Sequence, residues 1–379
     1  MSRLPGVEVV VIGAGVTGAA SAYELSRAGV RTAIVEAGEV GSVASGASAG
    51  GVRQQGRDPR ELPIAIRAIQ RWPELQAELG ADLHYLQDGH VNLVEFEEDL
   101  PAVEARVQRE RDAGLAIEMV YGDDLRKLVP GVAPHVIAGS YCRTDGHAMP
   151  PWVAKAYVRA AQRHGATLYP FTRVTDVTVA SGRVTGVKTS SGEISCDWVI
   201  NAVGAWGAGL ARMVGVELPI ETVALQMLLT EQMPPKLKQV LGCVSKRVSL
   251  KQIPTGSYLI GGGWPGTVHQ ERRFGRVRFA SVAGSAAHSS AIYPLLRQAR
   301  LLRAWTGLEA VAVDGVPVLG PVPEPAGFLV ACGFSGHGFA LAPQVGVIMR
   351  EFVTTGEPSV PVDALGVQRF HSPNAVAAE

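Results

Sequence analysis

The sequence predicts an α/β fold that opens with a βαβ unit, and three observations predict it. The β-branched run Val7–Ile12 reads as a fully buried parallel strand. Val16–Ala28 follows with helical character, and Gly29 sits where a helix should stop. Arg31–Glu36 (RTAIVE) is a second buried strand, so strand, helix and strand fall within about 30 residues.

Gly13, Gly15 and Gly18 place G-x-G-x-x-G between the first strand and the helix. The first glycine allows the tight turn. The second lets a pyrophosphate approach the backbone, and the third lets helix and strand pack closely. The helix N-terminus adds oriented N–H groups and a positive dipole. Glu36 lies 18 residues after Gly18, at the end of the second strand, where a carboxylate can bond both hydroxyls of an adenosine ribose. A lone G-x-G-x-x-G is compatible with a mere strand–helix turn. Flanked by both strands and the acid, it predicts a dinucleotide-binding Rossmann unit. An acid at position 36 also argues against the 2′-phosphate of NADP.

The remaining elements follow in order. Gly41–Gly51 (GSVASGASAGG) is small and polar, and reads as a flexible loop pressed against something flat or anionic. Arg60–Leu79 is helical in composition, with Pro73 expected to split it. His90–Glu95 reads as a strand, Asp99–Gly114 as an exposed charged helix, and Pro151–His164 as a helix ending at Gly165. Thr167–Tyr169, Val174–Ala180, Val184–Thr189 and Glu193–Ile200 read as short strands between Ser-Gly turns. Leu225–Thr230 and Ser257–Gly263 suggest a second sheet. Phe328–Gly333 is another buried strand, and Ala342–Thr354 a C-terminal helix.

Bulk properties bound the function. A chain of 379 residues with 47% hydrophobic and 18% charged residues can bury a sizeable core. The formal net charge is zero, with no long basic run, so nothing points to nucleic acid or an anionic membrane. Val9–Ile12 is too short for a signal-peptide core, and no stretch is long enough to span a membrane, so a cytoplasmic protein is expected. Cys142, Cys196, Cys243 and Cys332 lie far apart, without C-x-x-C or H-x-x-x-H. Buried reduced thiols are expected, with neither a metal site nor bridges.

Four segments then take the reading further: Val9–Glu36; Gly46–Gln54 (GASAGGVRQ); Asn201–Trp206 (NAVGAW); and Asp314–Gly320 (DGVPVLG) with Gly333–Phe339 (GFSGHGF) and Ala342–Pro343. In this order they resemble the D-amino acid oxidase and sarcosine oxidase superfamily of flavoproteins, over essentially the whole chain. An NAD-dependent dehydrogenase would need a separate catalytic domain and would leave GFSGHGF unexplained. The resemblance implies a Rossmann-type FAD-binding domain of discontinuous segments, 1–80, 145–215 and 305–379. It adds an α+β substrate domain, 81–144 and 216–304, with a mixed or antiparallel sheet. It implies non-covalent FAD held by Gly13, Gly15, Val16, Thr17, Gly18, Glu36 and Ala37. Further contacts come from Ser45, Gly46, Ala47, Ser48, Gly50, Gly51 and Val52 of the serine/glycine loop. Val174, Ala202, Gly204, Trp206, Gly307, Gly333, Gly336, His337, Gly338 and Phe339 complete the set.

The implied activity is oxidation of the C–N bond of a small amine or amino acid: a D-amino acid, N-alkyl amino acid, proline-like imino acid or opine. Such chemistry needs no strong acid or base, only a positioned neutral amine and exclusion of water. Arg53 matches an arginine that holds substrate carboxylate in the sarcosine oxidase branch, and a guanidinium suits a carboxylate through two parallel hydrogen bonds. A structural arginine paired with an acid is the alternative. His337 is the candidate for contact with flavin or substrate, against a histidine satisfied by backbone. Tyr258 and Trp264 could wall the pocket or pack in a core. Asp145 and His147 more simply shape the start of a helix.

The sequence also departs from the family. Ala340 stands where the sarcosine oxidase branch has a carboxylate-binding lysine, and Leu259 where that branch has the lysine that promotes oxygen reactivity. Glu309 stands where the D-amino acid and glycine oxidase branch has an arginine. GVRQQ resembles imino-acid and opine dehydrogenase subunits and the sarcosine oxidase beta subunit. A partner subunit or other electron acceptor is therefore expected as readily as oxygen. The alternative to an enzyme is an FAD-carrying electron-transfer or structural subunit of a heteromeric dehydrogenase.

Overall fold

The computed structural model describes residues 3–269 and 273–370. Two large sheets organise it. The first has six strands in the order Val318–Pro321, Phe328–Cys332, Trp198–Asn201, Val9–Ile12, Thr32–Val35, Thr167–Tyr169. All neighbours are parallel except the edge pair Val318–Pro321 and Phe328–Cys332. Val9–Ile12 is buried throughout, as a central parallel strand covered on both faces must be. The helix Val16–Arg27 packs between the helices Pro150–Arg163 and Gly338–Thr354. The last of these comes so close that a Cβ on Gly346 would lie 2.7 Å from Ala20 O. The N- and C-terminal parts of the chain therefore share one core.

The second sheet has eight strands in the order Leu301–Ala312, Ile220–Gln232, Ser257–Gly261, Ser249–Gln252, Val240–Cys243, His90–Val94, Ala138–Cys142, Ile117–Tyr121. It is antiparallel except where Val240–Cys243 runs parallel to His90–Val94, so the sheet is mixed, as expected. Leu301–Ala312 crosses the expected domain boundary at residue 305 and ends beside the glycine turn that follows Phe328–Cys332. The nine residues 371–379 of the expected FAD unit lie outside the described residues.

Several local readings are corrected. Pro73 does not split its helix: Leu62–Leu79 runs through it. Ile64, Ala65, Ala68, Ile69, Trp72, Leu75 and Leu79 are buried along one stripe, and this packing offsets the local cost of an interior proline, about 3 kcal/mol. Glu193–Ile200 is not one strand. Gly192–Ser195 ends a three-stranded antiparallel sheet with Val174–Ala180 and Arg183–Thr189, and the chain turns at Cys196–Asp197 before Trp198–Asn201 joins the parallel sheet. The loop Gly41–Gly51 contains one helical turn, Ala44–Ala47. The helix Phe279–Ile292 and the strand Leu301–Ala312 escaped the sequence reading.

Candidate active site

The three fingerprint glycines have three separate reasons to be glycine. Gly13 has φ +100°, and a Cβ there would lie 2.5 Å from Ala202 O. Gly18 packs its helix onto the strand so tightly that a Cβ would overlap Gly13 O. At Gly15 a Cβ would meet only Ser45 Oγ, at 3.2 Å. The backbone at Gly15 is thus open toward the serine/glycine loop, whose Ser45 Oγ accepts the Val16 N–H at 2.9 Å. Glu36 stands above the turn, accepting from Ala14 N and Gly38 N, both at 2.7 Å. The arrangement forms a cradle of N–H groups at a helix N-terminus with a carboxylate beside it.

Further along, the loop passes a cavity of about 430 Å³. Ala44, Ala47, Ser48 and Ala49 form one wall, and Gly307, Glu309, Ser335, Gly336 and His337 another. The opposite side carries His90, Asn92, Cys243, Lys246 and Arg247. Gly307 is glycine for a reason: a Cβ would lie 2.9 Å from the Ala47 Cβ, and Trp305 Nε1 donates to Ala47 O at 3.0 Å on the same strand face. The loop therefore rests on the strand Leu301–Ala312, which joins both halves of the site.

Arg53 reaches this cavity. Its Nη1 donates to Gln55 O at 2.7 Å, and it forms no ion pair among the described residues. Burial lowers its pKa, while the nearby Asp145 carboxylate acts the other way. The stretch after it is clamped from several sides. Asp145 Oδ1 accepts from Gln54 N at 2.9 Å; Gln55 Nε2 donates to His90 O at 2.7 Å; Gly56 N donates to Glu110 Oε1 at 2.7 Å. Arg57 donates to Arg53 O and stands 3.9 Å from Glu61, whose other oxygen lies 2.9 Å from His337 Nδ1. His337 caps the helix Gly338–Thr354, and its Nε2 has no hydrogen-bond partner among the described residues. Burial, helped by Arg57 and opposed by Glu61, brings its pKa down to about 4, so the ring is neutral near pH 7.

Of the residues singled out from sequence, Arg53, Ala47, Ser48, Gly307, Gly336 and His337 meet at the cavity. Tyr258 does not. It is fully buried in the core of the large sheet, its ring 5.9 Å from Tyr293, because it points to the sheet face opposite the cavity. Trp264 meets His288 edge to face and donates to Arg247 O at 3.0 Å, which places it behind the rim. Asp145 does more than shape the start of a helix: it holds the backbone beyond Arg53, and burial raises its pKa to about 6. Sequence reasoning missed His90, Lys246, Arg247 and Lys251. Lys251 is buried directly across the strand pair from Leu259, donating to Ala148 O at 3.0 Å, and burial lowers its pKa to about 7. Its strand, Ser249–Gln252 (SLKQ), is polar in sequence and gives no hint that the lysine is buried.

A family model for FAD-dependent oxidoreductases, DAO, matches residues 8–352. The chain belongs to this family. It is similar to hydrogen cyanide synthase subunit HcnC of Pseudomonas aeruginosa, at 30% identity over 94% of each chain. It is also similar to glycine oxidase of Geobacillus kaustophilus, at 30% identity over 92% of this chain and 93% of that one. Among solved structures, L-proline dehydrogenase from P. horikoshii superposes with a TM-score of 0.92 at 27% identity, over 97% of this chain and 99% of that one. The cofactor is FAD, and the residues present fit it. The open backbone at Gly15 suits a pyrophosphate, Glu36 a ribose, and the cavity beside Ala47 and Gly336 the ring end.

Proposed function

We propose that this flavoprotein oxidises the C–N bond of a small carboxylate-bearing amine: a D-amino acid, N-alkyl amino acid, proline-like imino acid or opine. The observation that carries the reading is Arg53, a guanidinium in the cavity with a single backbone acceptor and no ion-paired acid among the described residues. A planar carboxylate can take the remaining donors in a two-point contact. The names of the glycine oxidase and the L-proline dehydrogenase, both acting on small amino acids, support the same class. FAD, when bound, accepts a hydride from the carbon next to nitrogen. The chain's own part is to hold the carboxylate, set the amine and keep water out.

In this reading, FAD is held non-covalently by the loops around residues 1–80, 145–215 and 305–379. Residues 81–144 and 216–304 form most of the substrate wall. Trp206, Val174 and Phe339 remain candidates for FAD contact. A second reading, that electrons leave to a partner subunit, is supported by the subunit status of HcnC. An anaerobic screen of amines, D- and L-amino acids, proline derivatives and opines tests both. Bleaching of the flavin by one of them without a partner supports an enzyme complete in itself. Failure of every compound overturns the proposal and leaves the electron-transfer subunit. Slow reoxidation by oxygen, but fast reoxidation by an artificial acceptor, would mark a dehydrogenase.

A further inference from the structure

The cavity's lining carries three cations, Arg53, Lys246 and Arg247, and Glu309 is the one carboxylate among its lining residues. Glu309 lies on the strand Leu301–Ala312, two residues beyond Gly307 and on the same face. Leu308 and Ala310 turn into the protein, so the alternation of the strand presents Glu309 to the site. It forms no ion pair among the described residues; backbone N–H groups of Gly336 and Ala310 are its donors. Its surroundings are known from every side. Val223 faces it across the strand pair, and His337 stands at the helix N-terminus. Arg53 comes from the flavin loop, and His90, Cys243, Lys246 and Arg247 from the far wall. A half-buried carboxylate without a cationic partner is costly, and either a proton or a cationic ligand relieves the cost. Arg53 and Glu309 therefore give one cavity two anchors of opposite sign.

We propose that Glu309 binds the substrate ammonium and accepts its proton, delivering the neutral amine that C–N oxidation requires. The inference rests on the function proposed above and assigns a catalytic residue to that site. In the step, one N–H bond of the ammonium breaks and its electron pair stays on nitrogen. The proton forms an O–H bond on the Glu309 carboxylate. No redox change is involved, and the lone pair is then free to assist departure of hydride from carbon. Burial is the largest influence on this carboxyl and raises its pKa to about 7, which suits a base working near neutrality. Below that pH the acid is already protonated and cannot take the proton.

The test uses the FAD-loaded enzyme, wild type, Glu309→Gln and Glu309→Asp. Binding is read from perturbation of the flavin spectrum, and reduction from anaerobic bleaching. The probes are L-proline, sarcosine and glycine, with tetrahydrofuran-2-carboxylate and methoxyacetate as isosteres that lack the ammonium. Wild type should bind an amino acid more tightly than its oxygen isostere at pH 8, and Glu309→Gln should lose about tenfold of that preference while binding the isostere unchanged. Bleaching of wild type should fall below pH 7. In Glu309→Gln only already neutral amine reacts, so bleaching should rise about tenfold per pH unit and approach wild type near pH 10. Glu309→Asp should keep the wild-type profile at reduced rate. A loss in Glu309→Gln that is equal at pH 7 and pH 10, or equal for amino acid and isostere, overturns the role of Glu309 while leaving the proposed function intact. Binding of the pairs without bleaching at any pH, in any variant, overturns the proposed function instead. If no probe perturbs the wild-type flavin, both fall.

Discussion

At the scale of single residues, the site is a problem of charge held in place. Arg53 is useful only if its guanidinium does not move, and the structure spends Asp145, Gln55, His90 and Glu110 on fixing the backbone that follows it. Arg53→Ala should therefore leave FAD content and folding unchanged. It should weaken binding and reduction of a carboxylate-bearing substrate by about 2–4 kcal/mol, the scale of a charge-assisted pair left with one partner. Arg53→Lys should recover only part, because an ammonium cannot reproduce the two-point fork. The loss should shrink for an amine analogue without the carboxylate, as compared by anaerobic titration of the flavin. Equal losses on both compounds, or loss of the flavin, would make Arg53 a scaffold residue. Glu309 is the opposite case: little holds it except backbone donors, which is why its carboxyl is free for a ligand.

At the scale of elements, the fingerprint turn separates binding from folding within a few residues. Gly15→Val places its side chain where only Ser45 Oγ is near, so the protein should fold, lose FAD and melt close to the wild-type apoprotein. Gly18→Ala instead drives a methyl into Gly13 O and must push the helix Val16–Arg27 off its strand. It should cost roughly 1–3 kcal/mol of stability as well as cofactor. Calorimetry and flavin content together distinguish the two; a Gly15→Val protein with full FAD would contradict the assignment. These elements were legible in the sequence because their signals are local: β-branched runs, glycines at fixed offsets and an acid at a strand end. The helix through Pro73 was not, because tertiary burial of Trp72 and its neighbours overrides a local breaker. Whether Tyr258 walls the pocket or packs in the core was not legible, because alternation tells that a strand has two faces, not which of them meets the cofactor. His90, Lys246 and Arg247 join the cavity only through sheet order, which pairs Val240–Cys243 with a strand about 150 residues earlier.

At the scale of the whole molecule, the FAD site is where distant stretches of chain are tied together. The glycine turn after Val9–Ile12, the loop Ala44–Ala47, the strand Leu301–Ala312 and the turn before Gly338–Thr354 all converge on it, and the sheets and packed helices behind them join these stretches as well. A ligand that touches all of them and binds only the folded chain must stabilise the whole. The gain is about 2.7 kcal/mol when free FAD is 100 times its dissociation constant. The link should be non-covalent. Burial raises the Cys142, Cys196 and Cys332 thiols to about 12, and the thiol of Cys243, the cavity cysteine, is raised as well. A neutral thiol is a poor nucleophile toward a flavin ring. The purified protein should accordingly be yellow and release FAD into the supernatant on acid or heat denaturation. The apoprotein should melt at a lower temperature than the loaded form, and added FAD should restore both colour and melting temperature in a concentration-dependent way. Flavin that stays with the denatured chain would refute the non-covalent attachment. An apoprotein that melts with the loaded form would show that the sheets and packed helices hold the segments together by themselves, and that FAD merely occupies a site already rigid without it.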